Sequence, residues 1–101
     1  MGRLDRALEF AHAFPDYFIY AVCDDAGVPM YVGCTSDPVE RWTAHLTDKT
    51  HQQPLRKWIA KHPHRFEVLA SAWHKDEALG IEREYIAALA PPFNNAHAPL
   101  A

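Results

Sequence analysis

An α+β layer, a small three-stranded antiparallel sheet flanked by helices, is the fold class this sequence predicts. Three observations predict it. Two short aromatic and β-branched runs, Tyr17 to Cys23 and Met30 to Cys34, flank the turn signal Asp24-Asp25-Ala26-Gly27, which makes a hairpin. A third run, Phe66-Glu67-Val68-Leu69-Ala70, alternates imperfectly and reads as a lone later strand. Around these runs, apolar residues recur at helical spacing. A chain of 101 residues supports one modest core, so residues 1–101 are read as a single domain.

The elements follow in order. Leu4, Ala7, Leu8 and Ala11, with Phe10 and Phe14 alongside, predict an amphipathic helix over 3–13 that Pro15 ends. After the hairpin, Asp37-Pro38-Val39-Glu40 spells a helix start. Asp37 caps, Pro38 takes the first position, where its missing N–H costs nothing, and Glu40 holds the capping-box position. That helix should run to about Leu46, burying Val39, Trp42 and Leu46 in one stripe. A polar link through Lys49-Thr50-His51 leads to a second helix, Pro54 to Lys61, stopped by Pro63. The last helix spans roughly Lys75 to Leu89 and stops at Pro91-Pro92. No internal repeat, low-complexity tract or linker interrupts this order.

Composition excludes several function classes. No stretch approaches the roughly 20 apolar residues of a membrane span, and the first residues lack the apolar run of a signal peptide. Cys23 and Cys34 are too few to staple a domain of this size. They are read as free thiols of a reducing, cytoplasmic compartment, with Cys23 in the core; a bridge between the two strands is the alternative. A net charge of −3 is unlike a generic nucleic-acid binder, which is usually basic. Its distribution tells more. Residues 41–65 hold Arg41, Lys49, Arg56, Lys57, Lys61 and Arg65 against Asp48 alone, a net +5, which leaves −8 for the rest. A basic face on an acidic body suits phosphate tracking. A merely solvated charged face is the competing reading.

Candidate chemistry lies in a few residues. Arg41 and His45 are four apart and so share a helical face, beside the core at the edge of the sheet. Glu82 has Ala78, Leu79, Tyr85 and Ile86 as its helical neighbours, an apolar setting that is costly for a carboxylate without a compensating partner. Arg41 could compensate it structurally. So could Mg²⁺ held by one carboxylate, several waters and a substrate phosphate. Glu84 faces a thinner stripe and reads as solvated. Tyr20 and Tyr31 lie on adjacent strands, where tyrosines usually pack. His62-Pro63-His64 offers two alternating imidazoles with no further ligand, a weak metal signal.

Taken together, these residues resemble the GIY-YIG nuclease domain over residues 17–95. Phe18-Ile19-Tyr20 corresponds to GIY and Tyr31-Val32-Gly33 to YIG. Thr35 through Arg41-Trp42-Thr43-Ala44-His45 is similar to the helix carrying the family's arginine and its histidine or tyrosine. Glu82-Arg83-Glu84-Tyr85-Ile86, then Pro91-Pro92-Phe93-Asn94, resembles the metal-binding glutamate followed by isoleucine, proline and asparagine. Each triplet is weak alone; six elements in order are specific. Two positions depart from the pattern. Phe18 replaces the first glycine, and Cys34 stands where many members carry lysine, serine or glutamine. The helical, zinc-finger or helix-hairpin-helix modules of many relatives find no counterpart here.

The resemblance implies a metal-dependent endonuclease that hydrolyses DNA phosphodiester bonds. Tyr20, Tyr31, Arg41, His45 and Glu82 are its catalytic set, and Glu82 is its ligand for Mg²⁺ or Mn²⁺. Tyr20 would take the water's proton, with its phenol depressed by Arg41 and the metal; Tyr31 would position water or phosphate; His45 would contact phosphate or orient Tyr20. Arg56, Lys57 and Lys61 are the expected substrate contacts. Asn94 is grouped with them, chiefly as an anchor of the C-terminal segment. The expected partner is DNA, single-stranded, double-stranded or branched, with RNA open as an alternative; no membrane is expected, and the helix over 3–13 could dock a protein. Two further readings stand beside the nuclease: a nucleic-acid-binding module with weak cleavage, and a protein-interaction subunit of the same fold.

Overall fold

The computed structural model describes residues 15–47 and 52–95. The expected helix over 3–13 lies outside them, as does the link Lys49-Thr50-His51. Within them the order is β1 (Tyr17–Asp24), β2 (Pro29–Thr35), α1 (Pro38–His45), α2 (Gln53–Lys61), β3 (His64–Ala72), α3 (Lys75–Leu89) and α4 (Pro92–Asn95). The strands form one antiparallel sheet in the order β2-β1-β3, so the expected α+β class is what the chain adopts.

The hairpin turn is closed by side chain and backbone together. Asp24 Oδ1 accepts from the N–H groups of Ala26 and Val28 at 2.9 and 2.8 Å. Gly27 takes φ +86°, a left-handed conformation that glycine adopts without a Cβ penalty. Tyr20 pairs with Gly33 across β1 and β2, and with Val68 across β1 and β3. Leu69 is the extra residue of a bulge between the Ile19 and Tyr20 pairings.

The central strand buries both of its faces. Ile19, Ala21 and Cys23 form one cluster with Val32, Ala72 and Ala78, covered by Ile81, Tyr85 and Ile86 of α3. Tyr20 and Val22 form the other with Tyr31 and with Leu55 and Ile59 of α2; Trp42, Trp58, Phe66 and Phe93 pack around it. Cys23 and Cys34 are free thiols, Cys23 buried.

Helix starts follow the sequence signals. The Asp37 carboxylate accepts from the Glu40 N–H at 3.1 Å, with Pro38 in the first turn. The face of α1 differs from expectation. Val39 is 71% exposed and Leu46 53%, whereas His45 is 1% exposed. The inward face is centred between Trp42 and His45 instead of on Trp42, because Trp42 stacks on Phe66 at 5.1 Å and His45 is drawn into a buried hydrogen bond. After α3, Ala90 turns the chain left-handed (φ 45°), and Pro91 precedes the short α4, which the sequence did not announce.

Candidate active site

Gly33 decides where Tyr20 lies. A Cβ at Gly33 would stand 2.6 Å from the Tyr20 hydroxyl oxygen and ring, so only glycine lets the phenol fold across β2. There the Tyr20 hydroxyl meets His45 Nε2 at 2.6 Å, both groups buried. Tyr31 completes the cluster, its ring centroid 6.2 Å from Tyr20 and 5.4 Å from His45.

Charge states follow from this burial. Desolvation, then the nearby Arg41 charge, lowers the His45 imidazolium to about 4, so the ring is neutral near pH 7. The Tyr20 phenol is pushed up, first by burial and then by Tyr31; Arg41 pulls it down and Glu82 pushes it up, but burial wins. Arg41 does act to depress the phenol, as expected, but burial outweighs it. Tyr20 donates to His45 Nε2 when the neutral imidazole carries its proton on Nδ1. Burial and Glu82 likewise raise Tyr31, against Arg41.

Arg41 and Glu82 meet at a cleft of about 350 Å³ at the end of the sheet, where β1 begins and β2 ends. Tyr17, Cys34, Thr35, Ser36, Lys75 and Leu79 complete its lining. Burial raises the Glu82 carboxyl, and Arg41 and then Arg83 oppose that rise. Yet no ion pair joins Arg41 to Glu82 among the described residues. The two charges face one cleft and attract each other through it without direct contact. Glu84 is exposed, as its thinner stripe indicated. Arg41 also acts on Tyr20, Tyr31, His45 and Cys34, which links the cleft to the aromatic cluster behind it.

Glu82 suits a hard divalent cation. A half-buried carboxylate in a polar cleft supplies one oxygen ligand, and Mg²⁺ commonly takes its remaining ligands from water and phosphate. A caged site is another matter: among the described residues, no three His, Cys, Asp or Glu side chains are grouped to hold a metal. His62 and His64 instead donate Nδ1–H to the carbonyls of Trp58 and His62, at 2.9 and 3.1 Å.

The expected substrate contacts lie elsewhere. Lys57 and Lys61 are exposed one turn apart on α2, and Arg56 Nε donates to Gln53 Oε1 at 2.9 Å; none of the three lines the cleft. Asn94 is an anchor. Its side chain accepts from the Val32 N–H at 2.8 Å and donates to the Val32 carbonyl at 2.9 Å, holding α4 on the open edge of β2. Lys75 was missed, although a lysine opening a helix whose next residues are Asp76 and Glu77 is a visible anomaly.

The model of the GIY-YIG catalytic domain matches residues 16–95, from just before β1 to the end of α4. This chain belongs to the GIY-YIG catalytic-domain family. Members are generally endonucleases, and membership supports nuclease activity on DNA. No curated protein matches the chain. No helix among the described residues is long and apolar enough to cross a membrane.

Proposed function

We propose that this GIY-YIG protein is a divalent-metal-dependent endonuclease that hydrolyses DNA phosphodiester bonds. One observation carries the reading: Arg41 and Glu82 line one cleft with no direct ion pair between them, beside a phenol already hydrogen-bonded to a neutral imidazole. A scissile phosphate between them would meet a cation on one side and a metal-binding carboxylate on the other. Mg²⁺ or Mn²⁺ on Glu82 would supply Lewis-acid stabilisation of charge on the phosphate and the leaving 3′ oxygen.

The protein's residues supply the remaining chemistry. Water attacks phosphorus in line; a new P–O bond forms as the P–O3′ bond breaks. Because burial raises the Tyr20 phenol, a standing phenolate is not available. Tyr20 takes the water's proton as it passes its own to His45 Nε2, so no buried phenolate accumulates. The 3′ oxygen leaves with a proton from solvent. Arg41 holds the equatorial oxygens with its planar fork of donors, and Tyr31 orients the attacking water. Exposure favours a second assignment of the base, since Tyr31 is 8% exposed and Tyr20 not at all.

The deciding experiment incubates purified protein with labelled single-stranded, duplex and flapped DNA in Mg²⁺, Mn²⁺ or EDTA. Cleavage is expected with metal and none with EDTA. Glu82→Gln should abolish it while leaving the melting temperature equal or higher, because the substitution relieves a desolvated carboxylate. Full cleavage by that variant in Mg²⁺ would end the metal assignment. Tight binding without cleavage by the wild type would instead favour the binding-module reading.

A further inference from the structure

We infer that Lys75 is a substrate-positioning cation of this cleft, holding a DNA phosphate that flanks the scissile one; the inference rests on the nuclease reading above. Lys75, Leu79 and Glu82 stand at i, i+4 and i+7 of α3, so they form one helical face, and all three line the cleft. Lys75 and Glu82 are therefore about 10 Å apart along the helix axis. That separation of the two backbone positions is wider than a single phosphate group. It suits two phosphates of one strand, with Glu82 at the reacting one and Lys75 at a neighbour.

Lys75 is exposed and makes no ion pair among the described residues. It opens a helix, where the aligned peptide dipoles already present positive charge and an acidic residue is the favoured choice. His74, the N-cap, makes no side-chain capping hydrogen bond. The following Asp76 and Glu77 are the residues that suit the dipole, with Glu77 accepting from the Trp73 N–H at 3.3 Å, so the lysine is the exception in this turn. Across the cleft, the ammonium is near enough to draw the Cys34 thiol downward, against burial and Glu82. With Arg41 also in its lining, the cleft presents two cations and one carboxylate, Glu82. An anion longer than a single phosphate group fits that layout. A nucleic-acid strand is such an anion.

The test uses a fluorescein-labelled flapped duplex, with binding followed by anisotropy in EDTA and cleavage followed in Mg²⁺. Lys75→Ala should weaken binding about tenfold and flatten the log–log salt slope by about one, while Lys75→Arg keeps both near wild type. A series of the same DNA carrying one uncharged methylphosphonate at successive positions locates the contact. Wild type should lose affinity at one position beside the cut, and Lys75→Ala should be indifferent there. That indifference is a readout a merely structural lysine would not give. Equal affinity and slope for Lys75→Ala and wild type, or the same methylphosphonate profile in both, overturns the inference and leaves the nuclease reading intact. Absence of cleavage by the wild type with the Lys75-dependent profile present would do the reverse: the nuclease reading falls and the phosphate contact stands.

Discussion

The Tyr20 phenol is buried against the neutral His45 imidazole, and two predictions belong to that pair. Tyr20→Phe keeps the ring and removes the hydroxyl that meets His45 Nε2 and Arg41, so the structural loss should be about 1–3 kcal/mol, the cost of an orphaned buried acceptor. Cleavage, in contrast, should fall on the order of a hundredfold or more if Tyr20 relays the proton. Single-turnover rates beside melting curves separate the two effects, and Tyr31→Phe should hurt less. The opposite pattern, with Tyr31→Phe inactive and Tyr20→Phe normal, moves the base to Tyr31. The second prediction concerns pH. The folded imidazole titrates at about 4, below its ordinary 6.5, so the unfolded chain takes up that proton first as pH falls. Stability is therefore complete above about 6.5 and is lost as pH drops toward 4, by roughly 3 kcal/mol for this group. Urea melts from pH 7 to pH 4 should show this loss, and His45→Gln should show less of it. If the two proteins lose stability in parallel, His45 is not the group responsible.

Among the elements, α4 is the smallest and the most dependent on one side chain. Asn94 imitates a neighbouring strand, giving and receiving one backbone hydrogen bond at Val32 on the free edge of β2. Val32 is also core, with Tyr31 and Gly33 on either side, so the clamp stiffens the strand that carries the site. Asn94→Ala should cost about 1–3 kcal/mol and several degrees in Tm, with a smaller loss of cleavage than Tyr20→Phe. A Tm equal to wild type would show that the clamp is idle. The strands and longer helices were legible because their punctuation is strong. Asp37-Pro38 opens α1, Pro63 stops α2, and Pro91-Pro92 closes α3, whose observed bounds are those expected from sequence. The face of α1 was not legible. Over eight residues, a stripe centred on Trp42 and one centred between Trp42 and His45 have nearly the same periodicity. What separates them is a stacking partner on β3 and a hydrogen bond to β1, both distant in sequence. The rise of the Tyr20 phenol was hidden for the same reason, since burial on both sides of β1 outweighs the charge of Arg41. Four-residue α4 is shorter than any apolar period can mark. Glu82 was readable from its neighbours alone, because an apolar stripe with one carboxylate is visible in any helix.

At the scale of the whole molecule, the charge is divided, and that division tests how DNA lies on the protein. Residues 41–65 carry a net +5 on a chain of net −3. In α2, Leu55 and Ile59 turn to the core, which leaves Lys57 and Lys61 on the outer surface, away from the cleft lining. At physiological salt the Debye length is about 8 Å, so these lysines matter to affinity only where the DNA backbone passes close to them. Two phosphate contacts release about two counterions, and each contributes about 0.9 to the slope of log affinity against log salt on duplex DNA. Lys57→Ala combined with Lys61→Ala should therefore flatten that slope by nearly two and weaken binding at low salt far more than at high salt. The cleavage rate of bound DNA should hardly change, because neither lysine lines the site. Equal slopes for the variant and the wild type would mean that DNA crosses the cleft without touching α2, leaving Arg41 and Lys75 to hold the strand and the α2 lysines as solvated surface.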